Sequence, residues 1–232
     1  MSFWPTKEHW SVDIPVRTEH YLCPSMVAEG FVLLTPFDGE IPQQEWEDLE
    51  YMDWKSGGDT NFAPLASADG ELDCRGFWDK GKTDKDALWT SNAAKAPTLQ
   101  GYVDGIGANF GRVRIIKLEP QDREQALKSF HRDDNNRFNP AGEGWVLRTW
   151  IELTDNPDSY MLLMDLDDER LPVPGTERRV PLTRGSRFVV DTQRLWHVVV
   201  HNGTQPRYAL ITSVESTPAL EDWIHSQVPA LV

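Results

Sequence analysis

Cysteine is scarce in this chain: only Cys23 and Cys74 occur in 232 residues. One bridge is arithmetically possible, but a disulfide framework is excluded, and a reduced, cytoplasmic protein is the expectation. Long apolar runs are missing as well. No stretch approaches the roughly 20 apolar residues of a membrane helix. Residues 1–8 (MSFWPTKE) also lack the basic region and apolar run of a secretory signal. No membrane partner is therefore expected. Positive charge is the third shortage, since 23 Lys and Arg face 37 Asp and Glu for a net charge of −14. Nothing resembles a basic stripe, which argues against a nucleic-acid partner. The acidic surface fits solubility instead.

Aromatic residues are plentiful, with ten Trp and nine Phe pointing to a rigid scaffold or pocket. The length fits one domain, because all-β units often run to roughly 200–250 residues. Short apolar runs closed by Gly, Pro, Asn and Asp predict strands at 30–35, 112–118, 145–153, 160–164, 178–182, 186–190, 195–201 and 207–214. Residues 41–54 (IPQQEWEDLEYMDW) suit a surface helix starting near Pro42. Residues 55–86, rich in Gly, Asp and Lys, read as a long loop and a possible lid. The expected fold is mainly β, a double-sheet jelly roll with a few flanking helices. It forms a single domain over 1–232, with N-terminal elements in 1–110 and a core in 111–216.

His131 and Asp133 stand two residues apart, so on an extended segment both side chains share a face. With one distant His they have the form of the two-His, one-carboxylate triad that holds non-haem Fe(II) and leaves positions open. His131-Arg132-Asp133 also mimics the start of a kinase catalytic loop. That reading fails because Phe138 stands where the Asn should be. Downstream, alternation puts His197, Val199 and His201 on one face. If a hairpin pairs His201 with Arg207, the His197 and Arg207 backbones lie roughly 13 Å apart. A five-carbon diacid plus an Arg side chain would span that distance. The plainer readings are a core histidine at His197 and a solvated strand end at Arg207. His201 competes for the third ligand position, but its place near the turn suits a supporting or cosubstrate role. Arg132, Asn135, Asn136 and Arg137 lie on a polar loop beside the ligands, where they could receive a substrate carboxylate or peptide backbone.

From about residue 112 to 214 the chain resembles the Fe(II)/2-oxoglutarate-dependent oxygenases. It is most similar to the aspartyl/asparaginyl β-hydroxylase-like branch that includes proline hydroxylases. The resemblance is carried by SFHRD at 129–133, LRTWI at 147–151, GSRFVVD at 185–191, WHVVVHNG at 196–203 and PRY at 206–208. It implies a double-stranded β-helix with iron on His131, Asp133 and His197, and the distal carboxylate of 2-oxoglutarate on Arg207. Arg148 matches the branch and could bind cosubstrate or a substrate carboxylate. Trp150 stands where those hydroxylases carry His, which leaves the substrate class open. The implied activity uses Fe(II), 2-oxoglutarate and O₂ to hydroxylate a C–H bond of an amino acid, free or in a peptide, releasing succinate and CO₂. Two alternatives remain: a cupin-like metalloenzyme that does not use 2-oxoglutarate, and a non-catalytic β-sandwich binding module.

Overall fold

A computed structural model describes residues 20–53, 60–73 and 75–228. Two antiparallel sheets form the frame. The larger runs in the order β1 (Phe31–Leu34), β9 (Arg187–Val190), β6 (Val146–Glu152), β11 (Arg207–Glu215), β5 (Phe110–Leu118), β3 (Thr60–Ser67) and β2 (Met52–Asp53), with β4 (Leu88–Trp89) paired to β3. The smaller consists of β10 (Trp196–His201), β7 (Ser159–Met164) and β8 (Arg178–Pro181). From β6 onward the chain alternates between them: β7 and β8 in the small sheet, β9 in the large, β10 in the small, β11 in the large. This is the winding of a jelly roll, as the strand pattern predicts.

Period-two alternation explains how each strand is buried on two faces. Trp150, Phe188, Ile116 and Ile211 of the large sheet meet Met161, Leu163 and Val180 of the small one in the inter-sheet core. Each such side chain contributes about 1.5–3 kcal/mol on leaving water. The outer face of the large sheet is covered by α3 (Pro97–Asp104) through Leu99 and Val103, and by Trp46 of α2 (Gln44–Glu47). Further along that face, α1 (Pro24–Val27) and α5 (Pro218–Gln227) place Met26, Leu220 and Ile224 against Leu147, Val189 and Val214. Pro97 and Pro218 open their helices where a missing N–H costs nothing.

Three expectations need correction. The helix expected over 41–54 is one turn, α2; Asn92 exchanges hydrogen bonds with the Glu50 backbone, and Met52 and Asp53 then pair with β3. The supposed loop at 55–86 contains β3 and a 3₁₀ turn at Phe77–Lys80, while residues 54–59 lie outside the described residues. Most consequentially, β10 and β11 do not form a hairpin: β10 pairs with β7, and β11 with β5 and β6. The segment between them crosses from one sheet to the other. Pro206, without an N–H, cannot extend a ladder there. Cys23 is a free, buried thiol, and Cys74 lies outside the described residues. Among the described residues no helix is long and apolar enough to cross a membrane.

Candidate metal centre

β10 is flanked on its free side by the segment leading to Asp133. Gln121 bridges His201, α4 (Arg123–Leu127) takes up the intervening chain, and His131 then pairs with His197. Asp122 caps α4 by accepting from the Gln125 N–H at 2.8 Å. His131 and His197 exchange both backbone hydrogen bonds, at 3.2 and 2.8 Å, so their rings stand side by side with centroids 4.4 Å apart. The Asp133 N–H donates to Thr192 O at 2.9 Å, which keeps the segment extended and returns the Asp133 side chain to the His131 face. One ligand atom from each of His131, Asp133 and His197 lies within 4.8 Å of the others.

Each imidazole is oriented by a carbonyl two residues earlier. His131 Nδ1 meets Ser129 O at 2.7 Å and His197 Nδ1 meets Leu195 O at 3.2 Å. A carbonyl only accepts, so both Nδ1 atoms carry the hydrogen, which leaves Nε2 of each ring as the nitrogen that could meet a cation. Asp133 Oδ1 lies 3.6 Å from His131 Nε2, while Oδ2 is held by Arg148 Nε at 3.3 Å. One carboxylate oxygen is thereby anchored and the other faces the two imidazoles. Burial opposes ionisation of Asp133, but the charge of Arg148 and the hydrogen bond of His131 hold its carboxyl well below the usual range. Burial, then the His131 ring, pulls His197 down to about 3, so it is neutral near pH 7. Burial also disfavours charge on His131, yet Asp133 outweighs it and raises that pKa. The neutral His197 nitrogen, His131 Nε2 once a metal displaces its proton, and one carboxylate oxygen suit a first-row divalent ion such as Fe(II).

Arg148 is buried, facing inward beside this group. Besides Asp133 it contacts Ser213 Oγ, Asn135 Oδ1 at 2.5 Å and Asp84 Oδ2 at 3.4 Å. Asn135 sits in the same cluster, its Nδ2 donating to Thr192 Oγ1 at 3.1 Å. Arg137 is farther out, stacked over Trp78 at 4.7 Å and 3.7 Å from Asp134. Asn135, Asp134 and Arg137 line a cleft with Trp78, Asp84 and Arg112, beginning one residue beyond Asp133. Arg132 points to the opposite face, donating to Gln193 O at 3.0 Å and lying over Trp196. It does not join the centre.

Arg207 belongs to the same inward face of the large sheet, two residues before Ala209 and four before Ile211. It is fully buried, ion-paired with Glu152 and 5.6 Å from the Trp150 ring. Trp150 donates its indole N–H to the same Glu152 oxygen at 2.7 Å and stacks on Phe188. The Arg207 Nε and Nη1 atoms, both buried, have no hydrogen-bond partner among the described residues. That leaves donors for a further carboxylate, so the side chains present accommodate the end of a diacid there. His201 is also buried: Nε2 donates to Gln205 O and Nδ1 accepts from Ser159 Oγ, each at 2.8 Å. Sequence reasoning missed Asp84, Ser213 and Glu152. Asp84 and Ser213 carry no local signal. Glu152 does, for it continues the inward row Arg148, Trp150, Glu152.

No protein-family model matches this chain, and no curated protein sequence matches it. Solved structures do. An oxidoreductase of the 2OG-Fe(II) oxygenase family from Burkholderia pseudomallei aligns over 84% of this chain and 88% of its own, with a TM-score of 0.51 and 12% identity. A prolyl hydroxylase from Trichoplax adhaerens, solved with a peptide fragment of the hypoxia inducible factor oxygen degradation domain, aligns over 86% and 89%, with a TM-score of 0.50 and 11% identity. At such identities the likeness is one of fold: this chain is built on the jelly roll of those oxygenases.

Proposed function

We propose that this protein is a non-haem Fe(II), 2-oxoglutarate-dependent oxygenase that hydroxylates a C–H bond of an amino acid, free or within a peptide. The convergence of His131, Asp133 and His197, with both Nδ1 atoms tied to carbonyls, carries this reading. When bound, the metal and cosubstrate would supply dioxygen activation coupled to decarboxylation of 2-oxoglutarate to succinate and CO₂. The chain's own residues do the positioning. His131 Nε2, His197 Nε2 and Asp133 Oδ1 would hold the ion, and Arg148 fixes the carboxylate so that one oxygen is presented. Arg207 offers Nε and Nη1 to the far carboxylate of the cosubstrate. The inter-sheet apolar side chains around Trp150 and Phe188 keep water from that end. Beside the ligands, Arg137, Asn135, Arg112 and Lys82 share a cleft with Asp84 and Asp134, a mixed polar lining that suits the charged amino and carboxylate groups of an amino acid.

A second reading rests on one observation. Glu152 already neutralises Arg207, as would suit a cupin-like metalloenzyme that does not use 2-oxoglutarate. The two are separated by incubating the protein aerobically with Fe(II), 2-oxoglutarate and a panel of amino acids and peptides, following succinate and oxidised product by mass. Succinate release stimulated by one panel member, and lost in His131→Ala, is expected. Metal binding without succinate from any member would favour the second reading.

A further inference from the structure

The buried Glu152–Arg207 pair has a consequence for how a diacid is received, given the 2-oxoglutarate reading on which it rests. Both side chains are 0% exposed, and Glu152 engages its cation and the Trp150 indole through Oε1 alone. Its Oε2, like Arg207 Nε and Nη1, is buried without a hydrogen-bond partner among the described residues. A second carboxylate arriving on Arg207 would put two anions on one cation in an apolar surround, an arrangement in which one of them takes a proton. A protonated Oε2 is then a donor aimed at the newcomer.

We propose that Glu152 is a specificity residue for the cosubstrate: it shares Arg207 with the distal carboxylate of a 2-oxo diacid as the neutral acid, so each dianion is bound together with one proton from solvent. The proton ends on Glu152 Oε2, and Arg207 stays charged throughout. Burial already raises the Glu152 pKa against the pull of Arg207. The surroundings offer few rivals for that proton. His201 on β10 lies in the field of Arg207, with both ring nitrogens committed and its pKa lowered by burial first. Glu119, after β5, acts on His201, and Arg184 lines a surface cleft with Glu152. The inter-sheet core receives Phe62, Met161, Leu163, Val180 and Phe188 from β3, β7, β8 and β9, none of which titrates, while β5 brings the cation of Arg114, over the Phe62 ring at 4.4 Å, to the same face.

The test is calorimetric titration of the Mn(II)-loaded full chain, which does not turn over, from about pH 6 to 8. Two probes are compared: 2-oxoglutarate, and 2-oxovalerate, which has the same carbon chain without the distal carboxylate. The affinity of the diacid is expected to fall about tenfold per pH unit while that of 2-oxovalerate stays level, because only the diacid takes up a proton. Buffers of differing ionisation enthalpy should report one proton per diacid bound. In Glu152→Gln the pH dependence of the diacid should vanish. Parallel pH profiles for the two probes, a pH-independent diacid, or an undiminished slope in Glu152→Gln would each overturn the proposal while leaving the oxygenase reading in place. Failure of both probes to bind would overturn the two together. Should the Gln variant not fold, the two-probe comparison on the wild type still decides.

Discussion

Two neighbouring histidines in this centre are pushed in opposite directions. His197, at about 3 in the folded chain, is neutral where an unfolded histidine, near 6.5, begins to charge. Between those values the unfolded state holds more protons, so stability is full above about pH 6.5 and declines as pH falls toward 3. His131, with its pKa raised, works in the other sense and loses its contribution as pH rises. Urea unfolding of the metal-free protein at pH 7 and 5 should therefore show a His197-dependent loss of about 2 kcal/mol. In His197→Asn that part of the loss should disappear; an unchanged difference would contradict the assignment. Arg148 is a positioning residue, touching Asp133 Oδ2 rather than the face where ligand atoms converge. Arg148→Gln should weaken Mn(II) binding by about 10–100-fold at equilibrium. A wild-type dissociation constant would show that the carboxylate needs no anchor.

At the scale of elements, strands whose residues alternate cleanly were legible in the sequence. β6, with Leu147 and Ile151 on one face and Arg148, Trp150 and Glu152 on the other, lies within the expected 145–153. β3 was not legible, because Ala63, Pro64 and Ala66 have low strand propensity and a register shift falls between Pro64 and Ala66. Local pattern also cannot say which sheet a strand joins, and so β10 and β11 looked like a hairpin. The ligand residues were readable nonetheless, since His131-x-Asp133 and the inward row of β10 depend only on a period of two. Asp84 was unreadable because it reaches Arg148 and Arg112 from a polar loop brought close by β5. Gly111 permits that approach: a Cβ there would lie 2.1 Å from Asp84 O and 2.3 Å from its Oδ1. Gly111→Ala should cost about 1–3 kcal/mol in urea unfolding and displace Asp84 from Arg148. A neutral effect would mean the loop yields freely.

Across the whole molecule, the most deeply buried arginines come in ion pairs. The chain carries −14 overall, yet Arg148 and Arg207 are fully buried and Arg112 nearly so, all within the jelly roll and next to acidic partners. Each of these buried cations is met by a carboxylate, as removal from water requires. The two sheets give these groups fixed stations. The small sheet and its flanking segment hold His131 and His197, and the large sheet holds Arg148 and Arg207. Metal and diacid would bridge them, and the most direct test is whether they do. Fe(II) and then 2-oxoglutarate are titrated without oxygen into wild type and His197→Ala, while the visible charge-transfer band of the chelate is followed. A band that saturates near one equivalent in wild type and fails to form in His197→Ala is the expected result. Absence of iron binding in wild type, or an equal band in the variant, would contradict the centre described above.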